Sequence, residues 1–368
     1  MDPNVSEMQI PCRIAPPNPP NDGILFVDHS QQGRSGHLGH ALVETAPGRV
    51  LAFHSNVSGE INGGHNGDGW MEVRRSEDGG RTWSDSIPLE YSKQVHDAGE
   101  QRSVMCEKAV CTREGTVVLL NLECGNVPEK KCTWQPLYVP TVLRSSDGGN
   151  TWSEPLPMGD EPGRIWDALV KDGEILVLEL CNDHKDKWHA TLPEHHYALY
   201  VSDDDGRTFA RRSVLPFHYD GRGYGTMAFL HDGSLIADVY NIHDEQHLDY
   251  AISPDNGRTW SDVQTARMEK RIRNPQMAPF KDGFVLHGRS GHVQGPEAER
   301  GHLVLYTSRD GIRWDGGQYL QMRTARHGAY SNNLWVHDPD DSSSGRLLIQ
   351  ASHAYDHHRT NIHHWWLS

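Results

Sequence analysis

One short motif, repeated along the chain, constrains the fold more than any other feature of the sequence. It reads Ser-x-Asp-x-Gly-x-Thr-Trp, with Phe replacing Trp in one copy, and a shortened copy ends in Arg-Trp. Successive copies begin about 50 to 70 residues apart, an interval that suits one four-stranded sheet per repeat. The copies occupy residues 76–83, 145–152, 202–209, 253–260 and 308–314.

The chemistry of this motif is that of a turn between two strands. Its Asp accepts backbone N–H bonds within the loop, and its Gly adopts a positive φ. The aromatic residue fills the space between neighbouring sheets. We therefore expect the motif residues to be structural and not catalytic.

A strand, a Gly-containing turn and a second strand precede each copy with period-two alternation. Examples are ALVETAPGRVLAF before the first copy and ALVKDGEILVLEL before the third. A sixth unit, NNLWVHDPDDSSSGRLLIQASHA, has the strand pair without the motif. Six such units predict an all-β fold, a six-bladed β-propeller, with a seven-bladed ring as the alternative. We expect one domain over residues 1–368, with residues 1–30 as an N-terminal extension whose GILFVD segment closes the last blade.

Propeller geometry sorts the remaining polar residues onto two faces. The start of each blade's first strand lies near the central axis, on the face opposite the motif turns, and the end of the second strand lies on the same face. The polar residues at the starts of first strands are His37, His40, Arg102, Glu107, Arg164, Asp167, Arg222, Tyr224, Arg273, Asn274, Gln276, His327, Tyr330 and Asn332. The ends of second strands add His54, Asn56, Asp183, His184, Asn241, His243, Arg289, His292, His353 and Asp356, and GHNGDGW adds His65.

Histidine is abundant in this chain, with 24 residues, and it concentrates in this set. A set rich in titratable groups predicts a functional pocket at the axis. We expect catalytic residues among His37, His40, Tyr330, Tyr224, Glu107 and Asp167. The other expected role is substrate binding, by Arg102, Arg164, Arg222, Arg273, Asn274, Gln276, His327, Asn332, His54 and His65.

Composition narrows the choice of ligand. The net charge of −15 and the lack of a basic stripe argue against nucleic acid and anionic membranes as partners. Several arginines converging on the axis favour an anionic ligand, because guanidinium groups pair with carboxylates. An acidic oligosaccharide or polysaccharide is therefore the expected substrate.

The sequence offers no segment for membrane insertion or export. No apolar run approaches the roughly 18 residues of a membrane span. The first residues, MDPNVSEMQIPCRIAPPNPPND, lack a basic stretch and an apolar core. We expect a cytoplasmic protein, or a secreted or periplasmic one if a signal peptide has been removed.

The motif and the strand pairs resemble the sialidase-like Asp-box (BNR) β-propeller superfamily over nearly the whole chain. Sialidases use three arginines, a Tyr nucleophile assisted by Glu, and an Asp acid/base. The YSNNLWV segment resembles the strand that bears the nucleophile, which implies this role for Tyr330, and Arg273 falls near one of the arginines. Two positions depart from the pattern. His-Leu-Gly-His at 37–40 stands where sialidases have Arg-Ile-Pro, and the assisting Glu position falls near Tyr224.

The HxGH stretch resembles a second group of propellers, usually described as seven-bladed. This group contains α-L-rhamnosidases acting on rhamnose linked to glucuronate, rhamnose–glucuronate lyases and ulvan lyases. These enzymes rely on histidine, with Tyr and Arg in the lyases. The resemblance implies that His37 or His40 is catalytic, without distinguishing the two.

These resemblances imply a carbohydrate-active enzyme, first of all a glycoside hydrolase cleaving a uronate- or sialate-containing glycan. Hydrolysis usually needs two carboxylates. Glu107, Asp167 and Asp68 are available, but no motif marks a pair, so hydrolysis led by Tyr330 or by a histidine is an alternative.

A polysaccharide lyase acting by β-elimination at a uronic acid is the second function considered. It needs a base, an acid and positive groups that neutralise the carboxylate. His37 or His40 with Tyr224 or Tyr330, and Arg222 or Arg273, would supply them. A non-catalytic glycan-binding propeller is the third function.

No cofactor is predicted, although zinc or calcium stays open. A zinc site is considered where histidines cluster near the C-terminus, at His353, Asp356, His357, His358, His363 and His364. The six cysteines contain no CxxC pair, and free buried thiols are expected, with a Cys124–Cys132 disulfide as the alternative.

Overall fold

The computed structural model describes residues 6–58, 68–99, 102–127, 132–135, 138–182, 192–291, 294–323, 328–357 and 359–368, with backbone alone in 125–127 and 132–135. The predicted site residues His65 and His327 lie outside these ranges, as do Asp183, His184, His292 and His358. The Cys132 side chain also lies outside them, so the Cys124–Cys132 bridge stays a prediction. Within the described ranges, Cys12, Cys106, Cys111 and Cys181 carry free thiols.

Strands dominate the described chain, and they pair antiparallel in six sheets. The N-terminal segment supplies β1 (Ile14–Ala15) and β2 (Ile24–Val27). The first blade contains β3 (Arg34–Ser35), β4 (Leu42–Ala46), β5 (Arg49–Ser58), β6 (Gly69–Ser76) and β7 (Ile87–Pro88). Helix α1 (Glu90–Asp97) leads to the second blade, with β8 (Arg102–Cys111), β9 (Val117–Val127), β10 (Cys132–Gln135), β11 (Thr141–Ser145) and β12 (Leu156–Pro157).

The next three blades are regular four-stranded sheets in which each strand pairs with its neighbour in sequence. The third contains β13 (Gly163–Lys171), β14 (Glu174–Cys181), β15 (His196–Ser202) and β16 (Ala210–Val214). The fourth contains β17 (Arg222–Phe229), β18 (Leu235–Asn241), β19 (His247–Ser253) and β20 (Gln264–Arg267). The fifth contains β21 (Arg273–Phe280), β22 (Gly283–Arg289), β23 (Leu303–Ser308) and β24 (Gln318–Gln321).

The sixth blade joins the two ends of the chain. Its strands β25 (Gly328–Asp338), β26 (Asp341–Ala354) and β27 (Thr360–Leu367) come from the C-terminal part. Both N-terminal strands, β1 and β2, then pair with β27 and complete the sheet. The predicted six-bladed, all-β propeller is confirmed, and the seven-bladed alternative is wrong for the six sheets formed by the described residues.

The repeated motif forms the turn after the third strand of a blade, as the sequence predicts. In the second copy, Asp147 Oδ1 accepts the backbone N–H groups of Asn150 and Thr151, both at 2.9 Å. The hydroxyl of Thr151 donates to Asp147 Oδ2 at 2.7 Å, and these bonds lower the pKa of the Asp147 carboxyl. Gly149 has φ 84°, and a Cβ there would lie 2.5 Å from Leu51 of the first blade. The motif therefore fixes the turn and docks it on the preceding blade.

Hydrophobic cores lie between neighbouring blades. Leu51, Phe53 and Leu119 belong to one core that joins the first two blades, and all are almost fully buried. Leu178 and Tyr240 belong to another, which joins the third and fourth. In the described part of the chain, no helix has the length and apolar character needed to cross a membrane.

The inner strands of five blades each contain a β-bulge that the sequence pattern does not predict. In each of the second to sixth blades, the register between first and second strand shifts near the axial start of the first strand, and the sixth blade has a further shift between His337 and Asp338. The first blade has no ladder at this level, and its chain turns at Gly39 with φ 72°. A bulge bends the strand and re-aims its side chains. The residues within the five shifts include Glu107, Trp166, Tyr224, Asn274 and Tyr330.

Candidate active site

The bulged residues meet at the axis, on the face opposite the motif turns. A cavity of about 30 Å³ lies between them. Its polar and aromatic lining residues are His40, Glu107, Lys108, Trp166, Tyr224, Asn274, Gln276, Tyr330, Ser331 and Asn332. The structure thus brings seven of the sequence-predicted site residues to one place, with Lys108, Trp166 and Ser331 as additions.

Tyr330 lies at the centre of an aromatic cluster. Its ring packs edge-on against the buried His37, with centroids 4.5 Å apart, and against Tyr224 at 5.7 Å. Tyr224 in turn packs on Trp166 at 3.9 Å. Burial raises the pKa of the Tyr224 phenol, so it stays neutral near neutral pH. The cluster gives the pocket a rigid apolar wall.

Arg164 lies behind this wall and is fully buried. Its guanidinium carbon lies 4.6 Å from the ring centroid of Trp166 and 5.4 Å from that of Tyr224, within cation–π range. Its Nη2 lies 3.6 Å from Glu107 Oε1. The aromatic rings and Glu107 therefore hold the charge of Arg164 beside the pocket.

Two further buried arginines come from the fifth blade. Arg273 Nη2 donates to the Tyr240 hydroxyl at 2.9 Å, and Nη1 lies 3.5 Å from the buried Glu245. Arg289, at the end of β22, is 4% exposed. Burial lowers the pKa of Arg289, while Tyr330 acts in the opposite direction and Arg273 reinforces the lowering. Arg164, Arg273 and Arg289 all interact electrostatically with Tyr330.

Glu107 is the carboxyl group that reaches the cavity. Its side chain is 14% exposed. Burial raises the pKa of Glu107, against the opposing effect of Arg164 and Lys108. A carboxyl with a raised pKa can hold a proton for transfer to a leaving group.

His40 also lines the cavity, but burial shifts its pKa in the direction opposite to that of Glu107. Burial lowers its pKa to about 4. Its Nε2 lies 3.2 Å from the His37 carbonyl oxygen, and its Nδ1 lies 3.5 Å from Gln350. At neutral pH this imidazole is uncharged and weakly basic.

A polar cross-link closes the floor of the cavity. Lys108 Nζ lies 2.9 Å from Asp167 Oδ1, donates to Asn332 Oδ1 at 2.8 Å, and also donates to Gln276. Asp167 accepts two further bonds of 2.7 Å, from the Thr226 hydroxyl and the Met227 backbone N–H. These contacts connect five blades through one ammonium and one carboxylate. Asp167 is therefore held as the partner of Lys108, and its predicted catalytic role stays a prediction.

Three other predicted residues do not reach the axial cavity. Arg102 pairs with Glu123 at 2.9 Å, within the second blade. Arg222 pairs with Asp249 at 2.7 Å, within the fourth. The fully buried His54 lies 3.1 Å from the Ser86 hydroxyl, and burial lowers its pKa to about 3. The Arg102 and Arg222 side chains thus pair within their own blades and His54 is enclosed beside Ser86, and their predicted substrate-binding roles stay predictions.

Beyond the cross-link, a wider channel opens toward the motif face. Its volume is about 630 Å³, and apolar residues of the inner strands, such as Leu169, Met277 and Trp335, line most of it. Asp167 and Lys108 form its inner end. The titratable groups of the candidate site lie on the other side of this barrier.

The C-terminal histidines lie where the last blade meets the first. His364 stacks on Phe26 at 3.9 Å, and its Nε2 lies 2.9 Å from Gln350 Oε1. His363 is the next residue on β27 and therefore faces the other side of the sheet. In the ranges that the structure describes, three close metal-ligand atoms occur elsewhere, at Glu161, Cys181 and His196, and not among these histidines.

The BNR repeat-like domain family matches residues 48–347. The chain belongs to this family of repeat propellers. A search of curated protein sequences gave no significant match.

Solved structures show the same fold. A protein of unknown function from Dyadobacter fermentans is 14% identical, with a TM-score of 0.70, covering 98% of this chain and 100% of its own. The Hadza microbial sialidase is 17% identical, with a TM-score of 0.67 and coverage of 93% and 68%. An α-L-arabinanase from Penicillium chrysogenum, solved with arabinobiose, is 14% identical, with a TM-score of 0.55 and coverage of 94% and 96%. At these identities the similarity establishes the propeller fold.

Proposed function

We propose that this protein is a glycoside hydrolase that cleaves a glycosidic bond in an acidic glycan containing a uronate or a sialate. The observation that carries the proposal is the position of Tyr330, at the axis and among three buried guanidinium groups. A sialidase and an arabinanase are among the proteins with a similar fold, which supports carbohydrate chemistry in this architecture.

Charge at the site favours an anionic substrate. Arg164, Arg273 and Arg289 bring three buried guanidinium groups to the site, with Glu107 3.6 Å from Arg164 and Glu245 3.5 Å from Arg273. Buried charges are weakly screened by salt, so these groups favour an anionic substituent in the cavity. A cavity of about 30 Å³ is close to the volume of one water molecule, so it accepts a substituent such as a carboxylate, with the sugar ring above it.

The chemistry follows a two-step displacement. The Tyr330 hydroxyl gives up its proton to solvent as its oxygen attacks the anomeric carbon, while Glu107 protonates the leaving oxygen. Glu107 then takes a proton from the water that releases the sugar from Tyr330. The raised pKa of Glu107 suits the first of these roles. The result is hydrolysis with retention of configuration.

A histidine-led mechanism has less support. A base works best when its pKa is near the operating pH, whereas burial lowers the pKa of His40 to about 4. His37 packs edge-on against Tyr330 and contributes to its orientation. Tyr330 is therefore the group that we assign to the chemical step.

The test combines a product assay with a nucleophile trap. The protein is incubated with sialyl and uronate oligosaccharides, and reducing sugar is measured together with the ultraviolet absorbance of unsaturated uronate. We expect reducing sugar alone, and a covalent adduct on the Tyr330 peptide after treatment with a fluorinated glycoside. Tyr330→Phe should lower kcat by about 10³-fold or more. Tyr250→Phe is the matched control, since its hydroxyl contacts Gln264 on the outer part of the fourth blade.

Each other outcome contradicts the proposal in a different way. Unsaturated uronate in the product indicates a lyase. Glycan binding without turnover indicates a binding protein. Equal rates for Tyr330→Phe and Tyr250→Phe exclude Tyr330 as the nucleophile.

A further inference from the structure

A second cluster of chemically active side chains lies in the third blade, outside the axial pocket. It contains Glu161 from the segment before β13, Cys181 at the end of β14 and His196 at the start of β15. One ligand atom from each lies within 4.8 Å of the others. Cys181 and His196 are direct partners in the strand ladder, so their side chains leave the sheet on the same face.

His196 is oriented as a ligand. Its Nδ1 lies 2.9 Å from the Glu194 carbonyl oxygen, a contact that places the ring proton on Nδ1. Its buried Nε2 has no hydrogen-bond partner within the described residues and lies 3.5 Å from Glu161 Oε2. A carbonyl that fixes one ring nitrogen and presents the other is the arrangement found around metal-bound histidines.

Glu179 adds a second and independent observation. It lies two residues before Cys181 on β14, hence on the same face, and it is fully buried. Neither carboxylate oxygen has a hydrogen-bond partner among the residues that the structure describes. The carboxylate lies over Gly163, where a Cβ would come within 2.2 Å of Oε1. A buried carboxylate without donors is costly unless a proton or a cation compensates it.

The charges around the cluster are mostly of one sign. Glu161 Oε2 lies 3.5 Å from His196 Nε2, and Cys181 is buried beside them. The Tyr200 hydroxyl lies 3.2 Å from Asp160 Oδ1 and 3.5 Å from Glu161 Oε1, so a further carboxylate lies next to the cluster. Arg211 pairs with Glu161, but its side chain is 45% exposed and lies at the rim. The thiol and the carboxylates therefore create a place where a divalent cation is favourable.

We propose that Glu161, Cys181 and His196 bind a zinc ion, with Glu179 as the adjacent carboxylate that balances its charge. Thiolate, imidazole and carboxylate are the ligand types of protein zinc sites, whereas calcium takes oxygen ligands alone.

The position of this site gives the metal a structural role. Gly163 pairs with Cys181 in the ladder, and the next residue along β13 is Arg164. A metal that ties Glu161 to β14 and β15 therefore holds the start of β13. That strand carries Arg164 and the bulged Trp166 into the axial pocket. Glu161, Cys181 and His196 do not line the axial cavity and are not among the groups assigned to the reaction.

The test measures metal binding directly. The full chain is stripped with a chelator and titrated with Zn²⁺, and with Co²⁺ as a spectroscopic probe. We expect one zinc per chain and a thiolate-to-cobalt charge-transfer band in the near ultraviolet. Cys181→Ser and His196→Gln should each weaken binding by more than about tenfold, and Cys181→Ser should abolish the band.

Cys111→Ser is the matched control, because Cys111 is a half-buried free thiol of the second blade. It should leave affinity and the band unchanged. His196 is 24% exposed, so His196→Gln is expected to fold even if Cys181→Ser does not, and circular dichroism checks both. The proposal is overturned if the stripped chain binds no zinc, or if His196→Gln binds it as tightly as the wild type. Activity does not enter this test, so its result is separate from that of the hydrolase assay.

Discussion

Replacing Lys108 by Met should destabilise the propeller by about 3 to 5 kcal/mol, the usual range for removing one partner of a buried ion pair. The Lys108 and Asp167 side chains are 12% and 5% exposed and are 2.9 Å apart. The substitution leaves Asp167 with uncharged donors, the Thr226 hydroxyl and the backbone N–H groups of Ala168 and Met227. It also removes the donor from Gln276 and Asn332, at about 1 kcal/mol for each hydrogen bond lost.

Urea unfolding measures this loss, with Lys93→Met as the control. Lys93 pairs with Asp97 on the surface of α1, where the two side chains are 33% and 56% exposed. Exposed pairs of this kind contribute about 0.3 to 0.5 kcal/mol. The double variant Lys108→Met/Asp167→Leu should be more stable than the sum of its single variants, since it leaves no unpaired charge.

Two results would refute this reasoning. A loss below about 1 kcal/mol for Lys108→Met would mean that water or a neighbouring group compensates Asp167. Additive losses in the double-mutant cycle would mean that the two charges do not interact across the axis.

Three other substitutions test separate parts of the structure. The pKa of His54 is lowered to about 3, below an unfolded value of about 6.5, so its contribution to stability is complete above pH 6.5 and is lost as the pH falls toward 3. His54→Gln should remove about 3 kcal/mol of the change in unfolding free energy that urea unfolding measures between pH 7 and pH 4. If the dependence of unfolding free energy on pH is the same in the variant, the lowered pKa is not that of His54. Because the pKa of Glu107 is raised, hydrolase activity should decline as the pH rises through that pKa. Glu107→Gln should flatten this alkaline limb of the plot of kcat against pH. If the limb persists in the variant, Glu107 is not the acid. Gly257→Ala should lower the free energy of unfolding by several kcal/mol, because its Cβ would come 2.0 Å from Leu199. Gly115→Ala is the control: it has a similar φ of 81° and no atom within 4 Å, so it should lower the free energy of unfolding by about 1 kcal/mol. Equal losses of the two variants in thermal unfolding would refute the docking role of the motif glycine.

The fold was predictable because its signal is local and repeated. Each motif copy fixes one turn, and the strand pair before it has clear period-two patterning, so the six units could be counted along the sequence. The placement of Tyr330, Tyr224 and Glu107 at the axis follows from the same pattern, since these residues begin inner strands.

The bulges explain why other residues were misplaced or missed. A shift of one residue in a strand moves a side chain to the opposite face. Arg102 and Arg222 precede the bulges of their strands and point into their own blades. Lys108 and Trp166 lie at or next to a bulge and reach the axis. A bulge depends on contacts between blades, and the single-strand pattern carries no information about it.

The pairing of β1 and β2 with β27 determines when the propeller can close during protein synthesis. The ribosome makes β27 after every other described strand, so the ring cannot close while the chain is still being translated through the sixth blade. Until then, β26 lacks its partner β27, and the side of the first blade that packs against β27 is uncovered. An unpaired strand edge invites pairing with another chain. The nascent protein thus has its greatest need of chaperone protection late in synthesis, when most of its sheets already exist.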